Sequence, residues 1–286
     1  MDVEHHLIKT NGITLHVAAA GPEDGQLVIL LHGFPEFWYG WRHQIPALAA
    51  AGYRVVAPDQ RGYNESDKPA GIRNYATPEE VADVVGLIQA FGREKAVVIG
   101  HDFGANVAWW TALTHPHMVE KLGILNVPHP KVFFETLRRS PRQLLKSWYI
   151  FGIQIPRLPE ASLSRNNFAG MLRAFTQSAK PDTFTSDDLE KYREAWRREG
   201  ALTAMLNWYR AAMRHQPPNP ASWRLAMPAL MIWGANDIAL SASMAQPSID
   251  QCDNGRLVII DDATHWVQHD ASERVNALLL EFLAQR

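Results

Sequence analysis

Short apolar runs rich in β-branched residues recur along the chain at residues 27–31, 54–57, 96–100, 122–126, 229–233 and 257–261. Each has the length and continuous hydrophobicity of a strand buried on both faces. Between the early runs the pattern turns helical, as in residues 77–91, where Thr77 is placed to cap and Pro78 and Glu79 suit a first turn. Strands alternating with helices predict an α/β fold, with a mostly parallel central sheet flanked by helices. Ahead of it, residues 7–9 and 13–18 flank Asn11-Gly12 and predict a leading antiparallel hairpin.

The rhythm breaks after Asn126, and about 100 residues pass before the next buried strand, at Ala229. That stretch is rich in Trp, Tyr, Arg and Pro and carries amphipathic helical patterns at 186–198 and 201–214. A helical lid is the expected result, set over the C-terminal ends of the strands, where open α/β sheets place their ligands. Such a lid keeps water from the space beneath it. The chain is therefore expected to divide into a first core part (1–128), a helical cap (129–222) and a second core part (223–286).

Of 286 residues, 47% are hydrophobic and 20% charged, which is enough apolar material for a full core, and the formal net charge is -2. That balance offers no long-range field to nucleic acid or to an anionic membrane, so the expected partner is a small molecule. The one cysteine, Cys252, cannot form an internal disulfide, which agrees with a reducing compartment. The opening Met1-Asp2-Val3-Glu4-His5-His6 is polar, and no stretch reaches the roughly 18 apolar residues of a membrane helix. The expectation is a cytoplasmic protein without nucleic-acid or membrane partners; its oligomeric state, a homodimer included, is left open.

The strongest local signal is Val97-Val98-Ile99-Gly100-His101-Asp102-Phe103-Gly104-Ala105, a buried strand that enters a Gly-x-x-x-Gly turn and then a helical pattern. A strained strand-to-helix elbow of this kind presents its central residue as a nucleophile, and the glycines are there because a Cβ would strike neighbouring backbone. Here the centre is Asp102. Asp also caps helices well at such a junction. As a nucleophile it is already ionised at neutral pH, attacks a saturated carbon without a base, and leaves an alkyl ester that an activated water must hydrolyse.

The partners follow in the order nucleophile, acid, base. Asp237 comes after the strand at 229–233 and His265 after the strand at 257–261, so His265 is expected to deprotonate water while Asp237 orients and stabilises the imidazole. His32-Gly33-Phe34-Pro35 follows another buried strand, and the backbone N–H groups of Phe34 and Phe103 are the expected oxyanion hole. His32 and His101 read as turn-bracing residues, and no metal site is expected. Trp38, Phe151, Trp208 and Trp266 suggest an apolar, aromatic-lined substrate pocket.

These motifs carry a family resemblance. His32-Gly33-Phe34-Pro35-Glu36, Asp59-Gln60-Arg61-Gly62-Tyr63 through Ser66-Asp67-Lys68-Pro69, and Gly100-His101-Asp102-Phe103-Gly104 resemble the soluble epoxide hydrolases of the α/β-hydrolase superfamily. The resemblance spans nearly the whole chain. It implies the α/β-hydrolase fold with a cap, no cofactor, and a small apolar epoxide that reacts with water to a vicinal diol. It also implies two lid tyrosines that bond the epoxide oxygen, here Tyr149 in Ser147-Trp148-Tyr149, followed by Gln154 and Pro156, and Tyr209 in Asn207-Trp208-Tyr209-Arg210. A phenol is protonated at neutral pH and can pass a proton as the C–O bond breaks.

Dehalogenases with the same Asp nucleophile are the nearest alternative. Haloalkane dehalogenases usually carry Trp after the nucleophile and Asn in the first oxyanion loop, where this chain has Phe103 and Phe34. Fluoroacetate dehalogenases carry arginines after the nucleophile and tend to have His-Trp in the first lid motif; this chain has Phe103 and Asn106, and Trp148-Tyr149. Departures from the epoxide hydrolase pattern are Phe103 in place of a frequent Trp and Thr264 in place of a common Gly. A noncatalytic ligand-binding member of the fold is a third reading, opposed by the complete set Asp102, Asp237, His265, Tyr149 and Tyr209.

Overall fold

In the computed structural model, which describes residues 3–146 and 148–285, every predicted strand forms. Ser147 of the first lid motif lies outside the described residues. The leading hairpin pairs β1 (Glu4–Thr10) with β2 (Ile13–Ala20), and its turn residues Asn11 and Gly12 both have positive φ, 45° and 75°. Asn-Gly favours that geometry because it matches the twist of the flanking strands. Then come β3 (Leu27–Leu31), β4 (Arg54–Pro58), β5 (Ala96–His101), β6 (Val119–Leu125), β7 (Leu225–Gly234) and β8 (Cys252–Ile260). The described residues form one sheet of order β1-β2-β4-β3-β5-β6-β7-β8, parallel from β4 to β8.

The helices are α1 (Gln44–Ala50), α2 (Thr77–Ala90), α3 (Phe103–Thr114), α4 (Pro130–Arg139), α5 (Pro141–Lys146), α6 (Trp148–Ile153), α7 (Leu158–Gln177, kinked at 165–168), α8 (Ser186–Arg197), α9 (Ala201–Arg214), α10 (Ala245–Ile249), α11 (Val267–Asp270) and α12 (Ser272–Ala284). Successive strand residues feed opposite layers, as the two-residue period of a strand requires. Val28, Leu30, Val97 and Ile99 pack with α1 and α12, while Ile29, Leu31 and Val98 pack with α2 and α3. The second layer continues into α8 and α9 through Tyr192, Trp196, Met205 and Trp208, so the insertion shares the core of the sheet.

Two local expectations are corrected. Thr77 does not cap α2: Ala76 holds the cap position in an extended conformation, and Thr77 is the first helical residue, ahead of Pro78. Strands β7 and β8 begin earlier than their apolar runs, at Leu225 and Cys252, because after that first buried residue their opening positions are mostly exposed near the sheet edge and carry no run of β-branched residues. Cys252 is buried, and burial pushes its thiol up to about 12, which leaves it inert. Among the described residues no helix is long and apolar enough to cross a membrane.

Candidate active site

The sheet register brings five loop starts into one row. Leu31 pairs with Gly100, His101 with Leu125, Leu125 with Ile232 and Gly234 with Ile260, so the chain leaves β3, β5, β6, β7 and β8 at one edge. The order of the sheet reverses between β3 and β5, which opens a crevice there. Asp102 stands at that point, just after β5, with φ 49° and ψ -124°. A non-glycine residue in so sparse a region stores about 1–3 kcal/mol of strain. The turn is tight enough that a Cβ on Gly100 would lie 2.2 Å from the Gly104 carbonyl oxygen, and one on Gly104 would lie 2.1 Å from that of Leu31.

Asp102 occupies the N-cap position of α3, yet its side chain makes no capping hydrogen bond. It turns instead toward the crevice. The Phe34 N–H donates to Asp102 Oδ1 at 2.9 Å, and His265 Nε2 lies 3.4 Å from Asp102 Oδ2. The other imidazole nitrogen, Nδ1, is 2.8 Å from Asp237 Oδ2. Asp237 is 5% exposed and well supplied with donors: Asn126 Nδ2 reaches Oδ2 at 2.8 Å, and the N–H groups of Ala239 and Leu240 reach Oδ1 at 2.7 and 2.8 Å.

The electrostatics of this trio are set by two carboxylates on one ring. Burial works against a charged His265, but the Asp237 charge and the hydrogen bonds to Asp102 and Asp237 outweigh it and hold the imidazole at about 10. For both carboxylates burial acts upward, and the contacts with His265 prevail and hold them below the ordinary range. At neutral pH the trio rests as two carboxylates around an imidazolium.

Tyr149 on α6 and Tyr209 on α9 face the same cavity as Asp102, a space of about 320 Å³. Burial and the nearby Asp102 charge push both phenols above their ordinary value, so they stay protonated. Their rings meet edge to face at 5.9 Å, and Tyr209 also stands on Phe103 at 4.6 Å and Phe34 at 5.2 Å. The second motif is tied to the first by Gln154, whose Nε2 donates to the Tyr209 carbonyl at 3.2 Å, and by Arg210, whose Nε donates to that of Ile153 at 3.0 Å. Beyond the tyrosines the cavity runs between Phe133, Phe134, Leu144, Phe151 and Met213.

Of the four aromatic residues expected around the substrate, Phe151 is on this wall and the three tryptophans are elsewhere. Trp208 precedes Tyr209 on α9, so a turn of about 100° per residue aims it away; it is 1% exposed and donates to the Arg61 carbonyl. Trp266 donates to Ser178 Oγ and packs on Phe175. Trp38 stands against His5. His32 and His101 do brace turns: His32 Nε2 accepts from the Gln60 N–H, and His101 Nε2 donates to the His265 carbonyl at 2.8 Å.

Two groups of residues escape sequence reasoning. Asn126, at φ 56°, links Asp237 to the Gly234 N–H, which its Oδ1 accepts at 2.9 Å. Glu36 is 1% exposed; its Oε1 accepts from the Tyr192 hydroxyl and lies 2.7 Å from His269 Nε2, and its Oε2 accepts from Gln268 Nε2, which also donates to His101 Nδ1. The one sequence signal for either is position, Asn126 at a strand end and Glu36 at the close of the His32 motif.

The chain matches the alpha/beta hydrolase fold family over residues 26–272. It is similar to the AB hydrolase superfamily protein YfhM of Bacillus subtilis (strain 168), with 51% identity over 281 residues that cover 98% of both chains. Epoxide hydrolase 4 of Mus musculus is 39% identical over 284 residues, 97% of this chain and 78% of the relative. The crystal structure of Bacillus megaterium epoxide hydrolase in complex with an inhibitor overlays it with a TM-score of 0.89 at 30% identity, spanning 98% of this chain and 100% of that one.

Proposed function

We propose the following reaction for this chain, which belongs to the α/β-hydrolase family and, within it, to the epoxide hydrolases: an epoxide and water become a vicinal diol through an alkyl ester on Asp102. The observation that carries the assignment of roles is that Asp102, Tyr149 and Tyr209 face one predominantly apolar cavity. A carboxylate nucleophile and two proton donors lining one small apolar space are what ring opening requires. The carboxylate forms the new C–O bond as the ring C–O bond breaks, and a phenol protonates the ring oxygen as it leaves.

The protonation of His265 then makes the second step follow from the first. The proton lost to the ring oxygen is made good from the imidazolium, and esterification removes the Asp102 charge that helps hold that proton. His265 is left neutral and becomes a base. It takes a proton from water, the hydroxide adds to the ester carbonyl carbon, and the oxyanion forms at Oδ1, where the Phe34 N–H already points and the Phe103 N–H is assigned as its partner. Collapse breaks the acyl C–O bond, releases the diol, and restores the carboxylate and the imidazolium. Asp237 keeps the imidazole oriented throughout.

A single turnover with enzyme in excess in ¹⁸O-water tests the covalent step. The first diol should carry an oxygen from Asp102 and no solvent label. Solvent label in that first diol would mean direct attack by water and would end the proposal.

A further inference from the structure

The insertion carries an exposed apolar surface at the mouth of the cavity. Of the ten large hydrophobic side chains that are exposed among the described residues, six fall between positions 144 and 158: Leu144, Leu145, Trp148, Phe151, Ile155 and Leu158. Leu145 is 73% and Trp148 69% exposed, while Leu144 and Phe151 belong both to this surface and to the cavity wall. Six exposed large apolar side chains within 15 residues, two of them on the cavity wall, mark an interaction surface.

The charge of the same stretch says what covers it. Residues 130–158 hold six basic residues (Lys131, Arg138, Arg139, Arg142, Lys146, Arg157) and one acidic residue, Glu135, a net +5 in a chain whose formal charge is -2. Arg138, Arg139 and Arg157 are exposed and make no ion pair with any described residue. Exposed Trp, Phe and Leu set near exposed arginines that have no ion partner among the described residues, on short helices, is the composition of a segment that lies in a lipid interface. A second copy of the chain is a poor occupant, since it would bring one strongly basic stretch against another.

We propose that this face of the insertion seats on an anionic lipid surface, so that an apolar epoxide dissolved in the bilayer enters the cavity past Leu144 and Phe151 without crossing water. What is delivered rests on the reaction proposed above; the seating itself does not. The small overall charge conceals the device, because the rest of the chain cancels the insertion.

The full chain is centrifuged with vesicles of phosphatidylcholine alone or mixed with phosphatidylglycerol. It should sediment with the anionic vesicles at low ionic strength, be released as salt rises, and bind neutral vesicles weakly. Arg138→Gln with Arg139→Gln should weaken that partition about thirtyfold, and Leu145→Ser with Trp148→Ser should weaken it at least tenfold. All four side chains are exposed, so melting and turnover of a short, water-soluble epoxide should be unchanged in both variants. Failure to bind anionic vesicles, or equal binding by the variants, overturns the proposal. So does a dimer in vesicle-free solution that Leu145→Ser with Trp148→Ser dissolves, since the face would then pair two copies. Vesicle binding is read without substrate, so it stands or falls apart from the epoxide reading.

Discussion

Asn126 donates its side-chain N–H to Asp237 Oδ2 at 2.8 Å, the same oxygen that receives His265 Nδ1. The acid is thus held from β6 as well as from its own loop. Asn126→Gly removes the amide while tolerating the positive φ of that position. Loss of one hydrogen bond to a buried carboxylate is worth about 1.5–3 kcal/mol, so the ester-hydrolysis rate should fall roughly ten- to a hundredfold. Stopped-flow tryptophan fluorescence resolves that step from alkylation, and an unchanged rate would leave Asn126 no positioning role.

His265→Gln removes the proposed base and leaves the proposed nucleophile. The ester should form and persist, and intact-protein mass spectrometry should find the substrate mass added on Asp102. Full turnover by this variant at neutral pH would exclude His265 as the base.

Tyr149→Phe and Tyr209→Phe each delete one donor from the cavity. An epoxide oxygen stays attached and leaves as a strongly basic alkoxide, so each variant should alkylate about 10²–10⁴-fold more slowly. The double variant should be nearly inactive with its circular dichroism preserved. A halide needs no proton to depart, so alkylation at the wild-type rate in the double variant would favour the dehalogenase alternative.

His265 titrates at 6.5 when free and at about 10 in the fold. Between those values the folded chain holds one proton more than the unfolded chain. The stability this contributes is full below pH 6.5 and is lost as pH rises through 10, at about 1.4 kcal/mol per pH unit. Urea unfolding of wild type and His265→Gln from pH 7 to pH 9 isolates the effect, because every other group titrates in both. Equal slopes would show that His265 rests neutral.

The strand runs, the elbow at Asp102 and the positions of Asp237 and His265 are legible because each depends on local pattern: an apolar run, a glycine pair, a residue just past a strand. Orientation is less legible. Trp208 and Tyr209 are adjacent, and only the packing of α9 decides that the tyrosine faces the cavity and the tryptophan the Arg61 carbonyl. Long-range partners are least legible of all. Asn126 lies 111 residues from Asp237, and Glu36 lies 233 from His269, so nothing near either residue announces the hydrogen bond it makes.

The two phenols come down from α6 and α9, while Asp102, Asp237 and His265 stand on loops of the sheet. On the proposed reaction the chemistry is thereby divided between two stretches of the chain, the insertion and the sheet loops. Changes confined to the residues between β6 and β7 would then decide whether a ring is opened, and would leave in place the loops assigned to holding and hydrolysing an ester. An exchanged insertion would change the reaction without rebuilding the nucleophile.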